Sequence, residues 1–187
     1  YLTLMNENYQ HPAMPDTKDI SDQIIKGIYQ LEQVPAKAKK AVANVQLMGS
    51  GTILQKVRQA AQILANDFNV SSDVYSVTSF TELARYAQDV TRWNILHPEG
   101  KQKTPYITNV ITKEAGPAIA ATDYIKNYSD QVRAYINTEY RVLGTDGFGR
   151  SDSRDNLRQH FEVDQHYIVV AALFELANRG DIKSSVV

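Results

Sequence analysis

The chain of 187 residues contains no cysteine. That absence removes disulfides, thiolate nucleophiles and every zinc or iron–sulfur site built on cysteine, and it fits a reducing, cytoplasmic location. An excess of charge of either sign is also missing, since 20 Lys+Arg face 21 Asp+Glu for a net charge of −1. Neither nucleic acid nor an anionic membrane surface is therefore expected as a partner. Apolar runs are short: the longest, Tyr167 to Phe174, spans less than half a bilayer, so no membrane-crossing helix is expected. The opening residues, Tyr1-Leu2-Thr3-Leu4-Met5, carry no initiator methionine, no basic segment and no small-residue cleavage site. They read as a chain entered part-way and not as a secretory signal.

What is present describes an ordinary globular domain, with 43% hydrophobic and 22% charged residues. At this length one domain is favoured over two, and surface scaling lets about 70% of the unfolded surface be buried, enough for a core without staples.

Residues 1–26 read as an incoming linker and leading segment, with a short strand-like run over Tyr1 to Met5. His11-Pro12 and Met14-Pro15 then prevent regular structure as far as Asp16. Residues 27–187 read as one α/β domain. Gly27 to Val34 alternates like a strand with one wetter face, at a sheet edge. The lysine-rich loop Pro35 to Lys40 then leads to a buried strand, Val42 to Met48. No helix separates these two strands, so antiparallel pairing is expected for the first.

From there strand, turn and helix alternate. Gly49-Ser50-Gly51-Thr52 turns into a helix whose face is marked by Ile53, Val57, Ala60, Ala61, Leu64 and Phe68. Asp73 to Thr78 is a strand, Ser79-Phe80-Thr81-Glu82 a capping box, and Leu83 to Leu96 its helix. Pro105 to Ile111 is either helix or strand. Ala118 to Thr122 and Tyr140 to Gly144 are further strands, with a helix expected around Tyr128 to Tyr135. Asp155 to Phe161 is a helix, and Asp164 caps an apolar one, Tyr167 to Ala177, expected to be buried on most sides. Strands alternating with helices in this way make a mainly parallel sheet covered on both faces.

In such sheets ligands bind beyond the carboxyl ends of the strands. Four loops qualify: Gly49 to Thr52, Thr78 to Thr81, Thr122 to Tyr124 and Thr145 to Ser151. The turn Gly49, Ser50, Gly51 and Thr52 places glycines before a helix N-terminus, an arrangement that can cradle an anion, although it is neither a dinucleotide fingerprint nor a P-loop. A tight turn that any βα unit needs is the plainer reading. Asp146, Gly147, Phe148, Gly149, Arg150 and Ser151 form the densest polar stretch, suited to contact with another domain or subunit. Its plainer reading is a helix-entry loop in which Ser151 to Ser153 cap and the arginines are solvated. His11, His97, His160 and His166 carry no metal-ligand spacing, so no metal site is expected. Asp73, Asp123 and Asp146 sit at expected strand ends as caps, and Trp93 with Tyr86 is expected between helix and sheet.

Several longer runs are more specific. Tyr1-Leu2-Thr3-Leu4-Met5-Asn6-Glu7-Asn8-Tyr9, Asp73 to Leu83, Arg92-Trp93-Asn94 before Leu96-His97-Pro98, and Tyr140-Arg141-Val142-Leu143-Gly144-Thr145-Asp146-Gly147-Phe148-Gly149-Arg150-Ser151-Asp152 resemble the homodimeric, bacterial-type, thiamine-diphosphate-dependent pyruvate dehydrogenases. The resemblance covers essentially the whole chain and implies the last, transketolase-type domain of a three-domain enzyme. It implies a three-layer α/β/α sandwich with a mainly parallel five-stranded sheet and one antiparallel edge strand. The parent activity it implies is decarboxylation of pyruvate and reductive acetylation of the lipoyl group of the acetyltransferase component. Thiamine diphosphate and Mg would then sit between the first two domains. Their Gly-Asp-Gly motif is absent here, so the resemblance brings no catalytic residue and no bound cofactor to this chain. It implies a structural, dimer-building role, with the other domains and a second subunit as partners. The alternative is a stand-alone anion-binding or protein-interaction module.

Overall fold

The computed structural model describes residues 7–187. The strand-like run Tyr1 to Met5 lies outside them. Twelve regular elements follow in the order α1 (Ile20–Lys26), β1 (Ile28–Val34), β2 (Ala43–Gly49), α2 (Ile53–Asp67), β3 (Val70–Val77), α3 (Phe80–Leu96), α4 (Tyr106–Val110), β4 (Ala118–Ala121), α5 (Lys126–Asp130), β5 (Tyr140–Leu143), α6 (Arg154–His160) and α7 (Gln165–Arg179). Residues 105–111, open between helix and strand in the sequence, contain the short helix α4. The leading segment holds α1, which the sequence reading does not include.

The five strands form one sheet in the order β1-β3-β2-β4-β5. All neighbouring pairs are parallel except β1 with β3. Strand alternation sends Val45 and Leu47 of β2 and Ile119 and Ala121 of β4 to one face, where α2 and α7 cover them. Met48, Ala118, Ala120 and Val142 point to the other face, against Phe80 and Leu83 of α3 and Ile107 of α4. The result is the expected three-layer sandwich with an antiparallel edge strand.

The edge strand's partner differs from the expectation: β1 pairs with β3, and β2 lies beyond it. The loop after β1 is pinned where α2 meets β3, because Lys37 N–H donates to Ala65 O and Ala38 N–H to Asn69 Oδ1, while Asn69 Nδ2 donates to Lys40 O. Crossing there leaves room for β3 between the two strands that the sequence joins directly.

Four other local readings need correction. Ser79 caps α3 by accepting from Glu82 N–H at 3.0 Å, but the reciprocal half of the capping box does not form. The Glu82 carboxylate takes Arg85 at 2.6 Å, and Ser79 N–H donates to Gly27 O. The helix expected over 128–135 is instead α5 and a separate 3₁₀ turn, Arg133–Tyr135. Tyr140 Oη donates to Ser129 O at 2.9 Å, engaging the carbonyl that a continuing α-helix would offer to residue 133. Asp73 lies within β3 and not at its end, accepting from Gln30, Gln33 and Asn44. Trp93 stacks on His97 at 4.3 Å with Lys103 over its ring, away from the helix–sheet interface, and Tyr86 is exposed.

Asp164 caps α7 as expected, accepting from His166 and Tyr167 N–H. That helix is less enclosed than its composition suggests. Val170 and Phe174 stand on an open face, with Arg141 over the Phe174 ring. Among the described residues no helix is long and apolar enough to cross a membrane.

Candidate functional site at the strand ends

Strand order reverses at β2. The chain passes from β2 to β3 on one side, then returns to place β4 on the other. Loops at such a switch point are forced apart by the helices that follow them, leaving a crevice beyond the carboxyl ends. Three of the four sequence-predicted loops meet there.

The turn after β2 is bonded to the loop after β4. Ser50 N–H donates to Ala121 O at 3.3 Å and Ser50 Oγ to Thr122 Oγ1 at 2.8 Å. Thr52 Oγ1 donates to Asp123 Oδ2 at 2.8 Å. The loop after β5 joins the same cluster, because Thr145 Oγ1 donates to Asp123 O and Thr145 N–H to Tyr124 O. Thr78 to Thr81, the fourth loop, lies on the other side and binds residues at the end of α1.

This geometry gives the glycine turn a definite job. A Cβ on Gly49 would stand 2.8 Å from Leu54 Cα, so Gly49 is what lets α2 start directly against its strand. Ser50 and Thr52 are buried, their hydroxyls turned to the Thr122 hydroxyl and the Asp123 carboxylate. An anion placed at this turn would also meet the carboxylate of Asp123. That carboxyl is pushed above the usual aspartate range by burial, opposed by the Thr52 hydrogen bond and the Arg158 charge.

Arg158 is the residue that sequence reasoning missed. It projects from α6, is only 9% exposed, and donates through Nη1 and Nη2 to Glu7 at 3.1 and 2.5 Å, with Thr52 Oγ1 at 3.4 Å from Nη2. Arg154 adds its charge 3.8 Å from the same carboxylate. The leading segment is thus held to the strand ends by a forked ion pair. Beside it opens a cavity of about 320 Å³. Its polar wall includes Asp123, Arg150, Arg154 and Arg158, and its apolar wall Leu157, Phe161 and Val163.

The six loop residues singled out from the sequence separate into different roles. Asp146 accepts from Lys126 N–H at 2.9 Å and so caps α5. Gly147, at φ +86, turns the chain, and it lines the cavity with Gly149 and Arg150. Ser151 is exposed. Phe148 projects outward, 89% exposed; Tyr124 and Ile125, after β4, are exposed as well. Arg150 has no ion pair among the described residues.

The Glu7 carboxyl is held below the usual glutamate range, chiefly by the hydrogen bonds from Arg158, with burial opposing. A depressed folded-state pKa means the ion pair's contribution is complete above the unfolded value and is lost as pH falls through the folded one. Acidification below the ordinary glutamate range should therefore release residues 7–16, and Glu7→Gln should release them at neutral pH. After solvent screening the loss is about 1 kcal/mol, or roughly fivefold faster amide exchange or proteolysis in this segment. Unchanged exchange in the Gln variant would refute the tether.

Among the described residues no group of three or more His, Asp or Glu side chains is placed to hold a metal ion.

Comparison with known proteins places the chain in a family. Residues 27–164 match the model of the transketolase-like TK C-terminal domain. The chain is 58% identical, over its whole length, to the pyruvate dehydrogenase E1 component of Escherichia coli K12 and covers 20% of that protein. With the same component of Pseudomonas aeruginosa it shares 54% identity over its whole length, covering 21%. It therefore spans about one fifth of the length of these curated relatives. Among solved structures, a transketolase from Pichia stipitis in complex with sedoheptulose-7-phosphate superposes with a TM-score of 0.57 at 15% identity, over 85% of this chain and 19% of that one. That likeness is one of fold. Given a family-model match over most of its length, the chain belongs to the transketolase-like C-terminal-domain family.

Proposed function

We propose that this chain serves as the transketolase-type C-terminal domain of a pyruvate dehydrogenase E1 component, organising domains and subunits while the chemistry takes place elsewhere in the protein. The observation that carries this reading is the 58% identity over the whole length of the chain, within relatives about five times longer. The parent reaction would be decarboxylation of pyruvate on thiamine diphosphate with magnesium, and acetyl transfer to the lipoyl group of the acetyltransferase component. The residues here do not fit that cofactor. Asp123, the carboxylate at the switch point, is engaged by Thr52 and faced by Arg158, and among the described residues no second carboxylate joins it on the cavity wall to hold magnesium. The cofactor is accordingly assigned to the remaining four fifths of the protein.

An antibody raised against the chain should detect, in its source cells, a polypeptide about five times longer. That polypeptide should release carbon dioxide from pyruvate when supplied with thiamine diphosphate and magnesium, whereas the chain of 21.0 kDa alone should not. A native band only at 21.0 kDa would remove the proposal.

The loop after β5 is the proposed contact with another domain or subunit. An 89% exposed Phe148, carried between two glycines, is an anchor without a pocket among the described residues. Phe148→Ser in the long polypeptide should weaken dimerisation by about tenfold, in keeping with the loss of one buried aromatic anchor. Analytical ultracentrifugation checks this, and an unchanged dimer constant together with unchanged turnover would exclude the contact.

A further inference from the structure

A second cavity, of about 640 Å³, opens on the face of the sheet at its β1 edge, between α1 and α4. It shares no residue with the cavity beside Asp123, and β2 separates its strands, β1 and β3, from β4. Its floor is Gln30 beside its register partner Tyr75. Tyr75 is 7% exposed, and its hydroxyl has no hydrogen-bond partner among the described residues. Burial, and then the Asp73 charge, push that hydroxyl up to about 12, so it keeps its proton and can both donate and accept. Gln30 gives an Nε2 hydrogen to Asp73 Oδ1 at 2.8 Å, which leaves its Oε1 as a further acceptor. The walls add two carboxylates, Asp19 and Asp22, neither of them in an ion pair among the described residues. Asp19 precedes α1 without a side-chain capping bond. Lys26, the ammonium on the same wall, stands over the Tyr106 ring, 5.3 Å from its centre. Two carboxylates against one ammonium leave one negative charge on the lining, and Asp73 adds to the same sign at Tyr75.

We infer that this cavity is a binding site for a small hydroxylated primary amine of the amino-sugar class, its ammonium group taken by Asp19 and Asp22 and its hydroxyls by Tyr75, Gln30 and Asn109. An ammonium brings three donors to a lining whose acceptors the fold leaves open, and its charge offsets the excess negative one. That excess disfavours a phosphate or carboxylate ligand. Val110 is the one aliphatic side chain on the lining among the described residues, so a purely apolar body has little to pack against. The volume admits on the order of twenty water-sized groups, room for one hexosamine with part of its hydration. The site lies wholly within this chain, so it does not rest on the reading of its parent protein.

The experiment uses the polypeptide at its native length, whatever that proves to be. Calorimetric titration with glucosamine is compared with glucose, which lacks the charge, and with 2-phenylethylamine, which lacks the hydroxyls. The readout beside heat is amide exchange over residues 19–30, followed by peptide mass spectrometry. Glucosamine should bind at least about tenfold more tightly than either comparison compound and slow exchange in that segment. Asp22→Asn should weaken glucosamine about tenfold and Tyr75→Phe about fivefold. Tyr75→Phe removes an oxygen that bonds to nothing among the described residues, so urea unfolding should be unchanged and the variant reads binding alone. Asp22 is exposed, so its variant tests the site without threatening the fold. No heat up to about 10 mM glucosamine, equal binding of glucose or of 2-phenylethylamine, or an affinity unchanged by either substitution would each overturn the assignment. If native-length protein fails to bind and exchange over 19–30 is already slow, another protein segment fills the cavity and the inference fails. The parentage test above is untouched by any of these results.

Discussion

Gly116→Ala should destabilise the chain by more than about 4 kcal/mol, placing it among the rare severe substitutions. Gly116 sits at φ +96 just before β4, and a Cβ there would stand 2.0 Å from Asn44 O and 3.0 Å from Asn44 C. The left-handed conformation alone costs an L-residue about 1–2 kcal/mol. The larger part comes from the overlap with backbone, because no rotamer change can relieve it. Asn44 cannot retreat easily. Its residue pairs with Ser71 in β3, its Nδ2 donates to Asp73 Oδ2 and Ala115 O, and its Oδ1 accepts from Ser71 Oγ. Urea unfolding measures the loss, with Gly51→Ala as control. Gly51 also has positive φ, at +56, but open space around its Cβ, so that variant should lose only about 1 kcal/mol. Equal losses in the two variants would show that conformation alone, and not the close approach to β2, governs position 116.

The second large effect should come from Gln46, a fully buried amide in β2. Its Nε2 donates to Thr112 O at 2.8 Å and Gly116 O at 2.7 Å, and its Oε1 accepts from Thr112 N–H at 3.1 Å. One side chain thus closes the irregular connection 112–117 onto the sheet. Gln46→Leu keeps the bulk and removes all three bonds. Gly116 O retains Thr138 Oγ1, but Thr112 loses this side chain as partner at both its N–H and its carbonyl. With each abandoned backbone group costing about 1–3 kcal/mol, the expected loss is about 2–4 kcal/mol. Because Gln46 and Gly116 hold the same connection, the double variant should lose less than the sum. Amide exchange should localise the damage to 112–121 before global unfolding. Exchange accelerated equally throughout the chain would refute that local role.

Both substitutions act at the amino end of β4, while Asp123 follows its carboxyl end. β4 is only four residues long and is paired on both sides. Any slip at its start therefore reaches the Ser50–Thr122 and Thr52–Asp123 bonds that shape the switch point. Stability of the connection and geometry of the site are one problem.

Much of the fold was legible because its signals are local. The helical face running from Ile53 through Leu64 is the buried face of α2, and the hydroxyl of Ser79 and the carboxylate of Asp164 cap the helices they precede. Failures occurred where distant groups intervened. Tyr140, eleven residues on, ends the α5 region by engaging Ser129 O. Asn69 holds the loop that lets β3 come between β1 and β2. Val170 and Phe174 look like core in composition but occupy the uncovered face of α7.

The candidate site divides in the same way. Its loops could be located from the sequence, since the carboxyl ends of parallel strands are fixed once strands and helices alternate. Its decisive pair could not, because Glu7 and Arg158 are 151 residues apart and nothing local to either one points to the other. The sequence by itself determined most of the strands and long helices, the Ser79 and Asp164 caps and the mainly parallel α/β class, because hydrophobic period and side-chain capping act within a few residues. Strand order, the convergence of three loops beside Asp123 and the tether of Glu7 to Arg158 were decided only by tertiary structure. These depend on which surfaces meet after the chain has crossed the sheet, and that is a property of packing and not of neighbours along the chain.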